Sequence, residues 1–224
     1  MIKNWWDPTG PARCLHELSF LRIGFLESFF SLYGKKILDV GCGGGVFSEE
    51  LWKRGALVSG TDVCADSLRQ ARAHARFSHA QISYEFPEYF YNQHRYFDVL
   101  LFMEVLEHVD HLYDTIKYWI PLLAPGGYLI GSTINRTTRS YFKAILAGEY
   151  ILQWVAPGTH SWHRFIKPEE LQEVFRDFGC CGWTEQGYKY SFFHPKKWIF
   201  CSENDTNFFF SIRKLQHNNF SDRG

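Results

Sequence analysis

Two groups of residues in this 224-residue chain have types and spacings suited to chemistry. The first is Gly41, Gly43, Gly44 and Gly45 with Asp39 just before them and Asp62 some twenty positions on. Glycines tolerate positive φ and let backbone N–H groups reach a ligand with no Cβ in the way. The second is Glu104, Glu107 and His108, at i, i+3 and i+4. On one helical turn all three would leave from one face. Two carboxylates and an imidazole can hold a divalent cation while leaving positions open for a substrate. The same trio also suits a solvated helix start, with Glu at the positive dipole end and His108 capping or packing. Spacing alone favours that simpler arrangement.

The elements that must position these groups follow from periodicity. Lys36 to Val40 is a short apolar run that breaks into the glycine loop, after which Val46 to Arg54 has a helical pattern ending at Gly55. Ala56 to Asp62 reads as a second strand finishing on a carboxylate. The alternation continues: a helix over 66–77, a strand near 82–86, a strong strand over 97–103, a helix over 112–123 and a strand over 128–133. Beyond it come a helix over 168–178 and two closing strands, 183–190 and 208–212, joined by a connection of undefined form over 191–207. This is an α/β, Rossmann-like pattern: a mostly parallel seven-stranded sheet with helices on both faces. Residues 1–34 form an amphipathic helical entry segment through Leu18, Leu21, Phe25 and Leu26, and residues 35–224 form the main domain. Ligands of such sheets bind beyond the carboxyl ends of the strands, which directs attention to the loop after Met103.

A strand, glycine loop, helix and acidic second strand suit either a dinucleotide or S-adenosylmethionine. The dinucleotide fingerprint needs a third small residue where this chain has Val46. Asp39 lies inside the first strand, where a buried carboxylate is costly unless a cation or hydrogen-bond donor meets it; a ligand ammonium would do so. Both details favour S-adenosylmethionine. Composition agrees with small-molecule chemistry. The 24 basic and 24 acidic residues cancel, so no positive field points to nucleic acid. Hydrophobic content of 46% provides for a full core. The six cysteines make no C-x-x-C pair and read as reduced thiols of a cytoplasmic protein. The amino terminus lacks a signal-like apolar region, and no stretch approaches the roughly 20 apolar residues of a spanning helix, so a soluble protein is expected.

The order Leu38-Asp39-Val40-Gly41-Cys42-Gly43-Gly44-Gly45, then Gly60-Thr61-Asp62, resembles the first two motifs of class I S-adenosylmethionine-dependent methyltransferases. Further stretches sharpen the likeness: Asn4-Trp5-Trp6-Asp7, Leu21-Arg22-Ile23-Gly24, Met103 to Val109, Ser132 to Thr137, Gly148 to Leu152, Pro157-Gly158-Thr159-His160 and Phe165 to Leu171. Up to about residue 175 the chain resembles the ubiquinone-biosynthesis O-methyltransferases. It departs from them in Ser19-Phe20, where the family has a polar Asn-Pro, and the likeness fades after Tyr188. The resemblance implies that Arg22, Asp39, Gly41, Gly43, Asp62 and Met103 bind S-adenosylmethionine, with guanidinium to carboxylate, acid to ribose and Met103 beside the adenine. It also implies Mg²⁺ at Glu104, Glu107 and His108.

The implied reaction methylates a phenolic oxygen of a polyprenylated catechol, and that oxygen must first lose its proton. With a phenol pKa of about 10, roughly one molecule in a thousand is ionised at pH 7, a penalty of about 4 kcal/mol. A cation lowers that pKa, and a histidine can act as base, His108 or His160 being the candidates. The apolar stretch 140–155, within a 137–165 insertion, either roofs the pocket or lies in a lipid interface. The latter would place the protein peripherally on the inner membrane or in a ubiquinone-biosynthesis complex. Two rivals stand beside this expectation: a methyltransferase of the same fold acting on another acceptor, and a non-catalytic cofactor-binding regulator.

Overall fold

The computed structural model describes residues 4–93, 95–140, 164–191, 193–194 and 197–216. Eight strands form one sheet in the order β3-β2-β1-β4-β5-β8-β6-β7. The parallel part is β1 (Lys36–Val40), β2 (Leu57–Thr61), β3 (Ser83–Glu85), β4 (Phe97–Met103) and β5 (Leu123–Ile134). The antiparallel part is β6 (Cys180–Tyr190), β7 (Trp198–Cys201) and β8 (Asn207–Lys214). The expected seven strands are therefore eight. The extra one, β7, lies in the 191–207 connection, where four apolar or sulfur-bearing residues show no alternation to reveal a strand.

The helices are α1 (Arg13–Glu27), α2 (Val46–Lys53), α3 (Ala65–Ser78), α4 (Pro87–Asn92), α5 (Leu112–Trp119), the single turn α6 (Thr138–Ser140) and α7 (Pro168–Asp177). Pro121 ends the expected longer α5 early, because it has no N–H to continue the ladder, and a 3₁₀ turn over Ile120–Leu122 leads into β5. Adjacent strand residues face opposite ways and divide the core. Ile37, Leu101 and Ile130 pack with Leu21, Phe25 and Leu26 of α1 and Leu51 of α2. Leu38, Leu100, Phe102 and Leu129 pack with Ile116 of α5 and Phe175 of α7.

β1 is buried from Ile37 to Val40, as a central parallel strand must be. It stops where Gly41, Gly43 and Gly45 take φ of 70°, 55° and 82°, and Gly45 caps α2. Because β1 connects to β2 on one side and pairs with β4 on the other, a crevice opens at the carboxyl ends of these three strands. Most of 137–165 and all of 141–163, including His160, lie outside the described residues.

Candidate functional site

A cavity of about 610 Å³ occupies that crevice, with Gly41, Asp62 and Val63 on one wall and Glu104, Val105 and His108 on the other. Asp62 is held by the backbone: its Oδ2 accepts from Gly43 N–H at 2.9 Å and its Oδ1 from Cys64 N–H at 2.8 Å. Each oxygen keeps a further lone pair, suited to a sugar hydroxyl. Gly41 cannot be replaced without cost, since a Cβ there would stand 2.5 Å from Val105 Cγ2. Met103 does not line the cavity. Its side chain is 7% exposed and packs in the α1-side core, so the wall beyond β4 is made by Glu104 and Val105.

Behind the glycine loop, α1 delivers Arg22, only 3% exposed and with its Cζ 5.4 Å from the centre of the Phe47 ring. Its Nε and Nη2 have no hydrogen-bond partner among the described residues. Nη2 is 3.9 Å from Glu104 Oε1, a charge contact too long for a hydrogen bond. A buried guanidinium with free donors is costly until an anion arrives. Asp39 is buried nearby and receives Ser48 Oγ–H at 2.6 Å. Burial raises its pKa to about 6, against the opposing influence of the Ser48 hydrogen bond and Arg22. A buried guanidinium with N–H groups free of hydrogen bonds and a buried carboxyl thus stand beside the glycine loop.

Glu104, Glu107 and His108 do not share one helical turn. Glu104 adopts φ of 58°, which breaks the chain direction, and only Leu106–His108 form a 3₁₀ turn. Glu104 Oε1 accepts from Ser132 Oγ–H and from Tyr188 Oη–H, both at 2.6 Å. Glu107 Oε2 accepts from Thr133 Oγ1–H at 2.9 Å, and its Oε1 is buried with no hydrogen-bond partner among the described residues. Ser132 and Thr133 are consecutive on β5, so the two acids are tied to opposite faces of the sheet's end. They still sense each other: burial, then the Glu104 charge, raises the Glu107 pKa to about 8. His108 is exposed on the cavity wall.

Among the described residues no three His, Cys, Asp or Glu side chains are grouped to hold a metal ion. Glu107 Oε1 has no hydrogen-bond partner among the described residues and its carboxyl feels the Glu104 charge, so Glu107 is the acid that a nearby cation would relieve. Sequence reasoning missed Ser132, Thr133 and Tyr188. Hydroxyls closing an otherwise apolar strand were the available signal for the first two. Tyr188 lay at the limit of the resemblance and carried none.

A family model described as "Methyltransferase domain" matches residues 13–185. The solved magnesium protoporphyrin IX methyltransferase of Synechocystis PCC 6803, with bound SAH, shares the fold at 18% identity and a TM-score of 0.65, over 89% of this chain and 83% of that one. The plantazolicin methyltransferase BpumL, in complex with SAH, does so at 16% identity and a TM-score of 0.64, over 92% and 87%. Among curated relatives, the ubiquinone biosynthesis O-methyltransferase of Idiomarina loihiensis is 39% identical over 220 residues, 96% of this chain and 89% of its own length. That of Glaesserella parasuis is 43% identical over 179 residues, 76% of each. With the glycine loop, both of its flanking acids and the methyltransferase sheet in place, the chain belongs to the family of ubiquinone biosynthesis O-methyltransferases.

Proposed function

We infer that this protein transfers the methyl group of S-adenosylmethionine to a phenolic oxygen of a polyprenylated catechol in ubiquinone biosynthesis. The observation that carries the donor half is Arg22, a buried cation with unpaired N–H groups beside Asp39 and the glycine loop. When bound, the cofactor supplies an electrophilic methyl on a sulfonium. Arg22 would take its carboxylate, Asp39 its ammonium and Asp62 the ribose hydroxyls, with Gly41 and Gly43 supplying the positive-φ turn that brings the backbone close. Met103, buried at the end of β4, supports the wall beside the adenine.

The acceptor is placed at the Glu104 and His108 wall, where a base must remove the phenolic proton before the oxygen attacks. His108 faces the cavity, and His160 is the second candidate. Glu104 and Glu107, with His108 beside them, would hold Mg²⁺, which lowers the pKa of a phenol bound to it. We assign residues 137–165 to the acceptor's prenyl tail and to contact with the inner membrane surface or a biosynthetic complex. No helix among the described residues is long and apolar enough to cross a membrane.

Turnover of labelled S-adenosylmethionine with a short-chain prenylated catechol tests this reading: label in the methoxy product supports it, and tight cofactor binding without transfer to any catechol overturns it. Activity that survives chelator treatment unchanged removes the cation, and an unaltered pH–rate profile in His108→Ala or His160→Ala removes that histidine as base. Liposome flotation with and without residues 140–155 tests the membrane contact.

A further inference from the structure

The segment that precedes α1 is fastened over the glycine loop. Trp6 stacks on His74 of α3 with ring centroids 3.3 Å apart and planes within 3°. Its Nε1–H donates to the Gly44 carbonyl at 2.9 Å. His74 is held in turn by Glu49 of α2, through Nδ1 and Oε1 at 2.8 Å. On the other side, His16 Nε2 meets the Trp5 carbonyl at 2.9 Å; a carbonyl only accepts, so Nε2 carries the proton. The strap is thus anchored to α1, α3 and the glycine loop at once.

Between these anchors lies the Trp5 ring, flat on the loop. A Cβ built on Gly43 would meet its six-membered ring at 2.5 Å, and one built on Gly44 would run into Cγ. Only glycines at 43 and 44 leave space for it. The Trp5 Nε1–H is buried and has no partner among the described residues. Buried indole N–H groups ordinarily find an acceptor. Arg22 presents the same condition from α1, with Nε and Nη2 unpaired. The Trp5 ring lies against Gly43 and Gly44 and the Arg22 guanidinium over Phe47, three residues further on, and every atom of the two that lacks a hydrogen bond is a donor.

We propose that Trp5 is a cofactor-binding residue: its Nε1–H donates, beside Arg22, to the carboxylate at the amino-acid end of S-adenosylmethionine, while its ring covers the glycine loop. The inference rests on the cofactor reading above, and wild-type protein that fails to bind S-adenosylhomocysteine would overturn that reading rather than this one. The acceptor plays no part in it.

The test is calorimetric titration of wild type and Trp5→Phe with two ligands: S-adenosylhomocysteine, and 5′-methylthioadenosine, which has the same nucleoside but no amino-acid end. Phenylalanine keeps an aromatic cover and removes the N–H. The expected result is binding of S-adenosylhomocysteine weakened about tenfold or more, the scale of one hydrogen bond to a charged group, with 5′-methylthioadenosine unchanged. Equal weakening of both ligands would mean that Trp5 only supports the loop, and unchanged S-adenosylhomocysteine binding would remove it from the site; either overturns the proposal. Arg22→Lys serves as the positive control, since it must discriminate between the ligands in the same direction.

Discussion

The two halves of the site are built by different means. Around the glycine loop, the groups proposed to bind the cofactor come largely from a short span of chain: Asp39, Gly41 and Gly43 lie on β1 and its turn, and Asp62 is fixed by the N–H groups of Gly43 and Cys64. Around Glu104, side chains from β4, β5 and β6 converge, and the antiparallel part of the sheet supplies the Tyr188 hydroxyl. The first half is backbone geometry, which one residue's Cβ can ruin. The second is a hydrogen-bond network, which can be weakened one bond at a time.

The largest expected effect is therefore in the first half. Gly41→Ala places a methyl 2.5 Å from Val105 Cγ2 at φ of 70°. Overpacking and left-handed strain together should cost about 3 kcal/mol of stability, read by denaturant melts, and the loop shift that relieves them should weaken S-adenosylhomocysteine binding, read by calorimetry. Tyr188→Phe removes one of two hydroxyl donors from Glu104 Oε1. Methyl transfer should fall about tenfold while cofactor affinity holds, and an equal loss of both would mean that the halves are not separate.

The Asp39 carboxyl, raised to about 6 by burial, gives the first half a pH dependence. Only its ionised form pairs with an ammonium, so S-adenosylhomocysteine affinity should fall roughly tenfold from pH 7 to pH 5, and Asp39→Asn should flatten the profile. Glu107 gives the second half a pH dependence of its own, seen in the stability of the metal-free protein. Its pKa rises from 4.5 unfolded to about 8 folded. Between those values the folded protein holds a proton that the unfolded chain has released, so stability falls as pH rises and levels off above the folded value. Denaturant melts across this range should show the fall in wild type and a flatter profile in Glu107→Gln.

The glycine loop was legible because strand, turn and helix cap are local: a buried run, residues with positive φ and the α2 pattern are adjacent in the chain. The convergence on Glu104 was not, because Ser132 and Tyr188 are 28 and 84 positions away. The spacing of Glu104, Glu107 and His108 suggested a single helical face. The left-handed φ at Glu104 and the alternation of Ser132 and Thr133 along β5 divide the acids instead. Nor did the Trp5-Trp6 pair announce a role; only the folded chain lays Trp5 against Gly43 and Gly44.

The sequence by itself determined the parallel half of the sheet, the position of the loop and the two acids that flank it, since each follows from residues within a few positions of one another. Only the tertiary structure decided that Arg22 lies buried with donors to spare, that a strand near the carboxyl terminus completes the Glu104 network, and that the entry segment straps the loop. Those facts depend on which distant side chains lose water together, and burial of that kind is a property of the packed molecule.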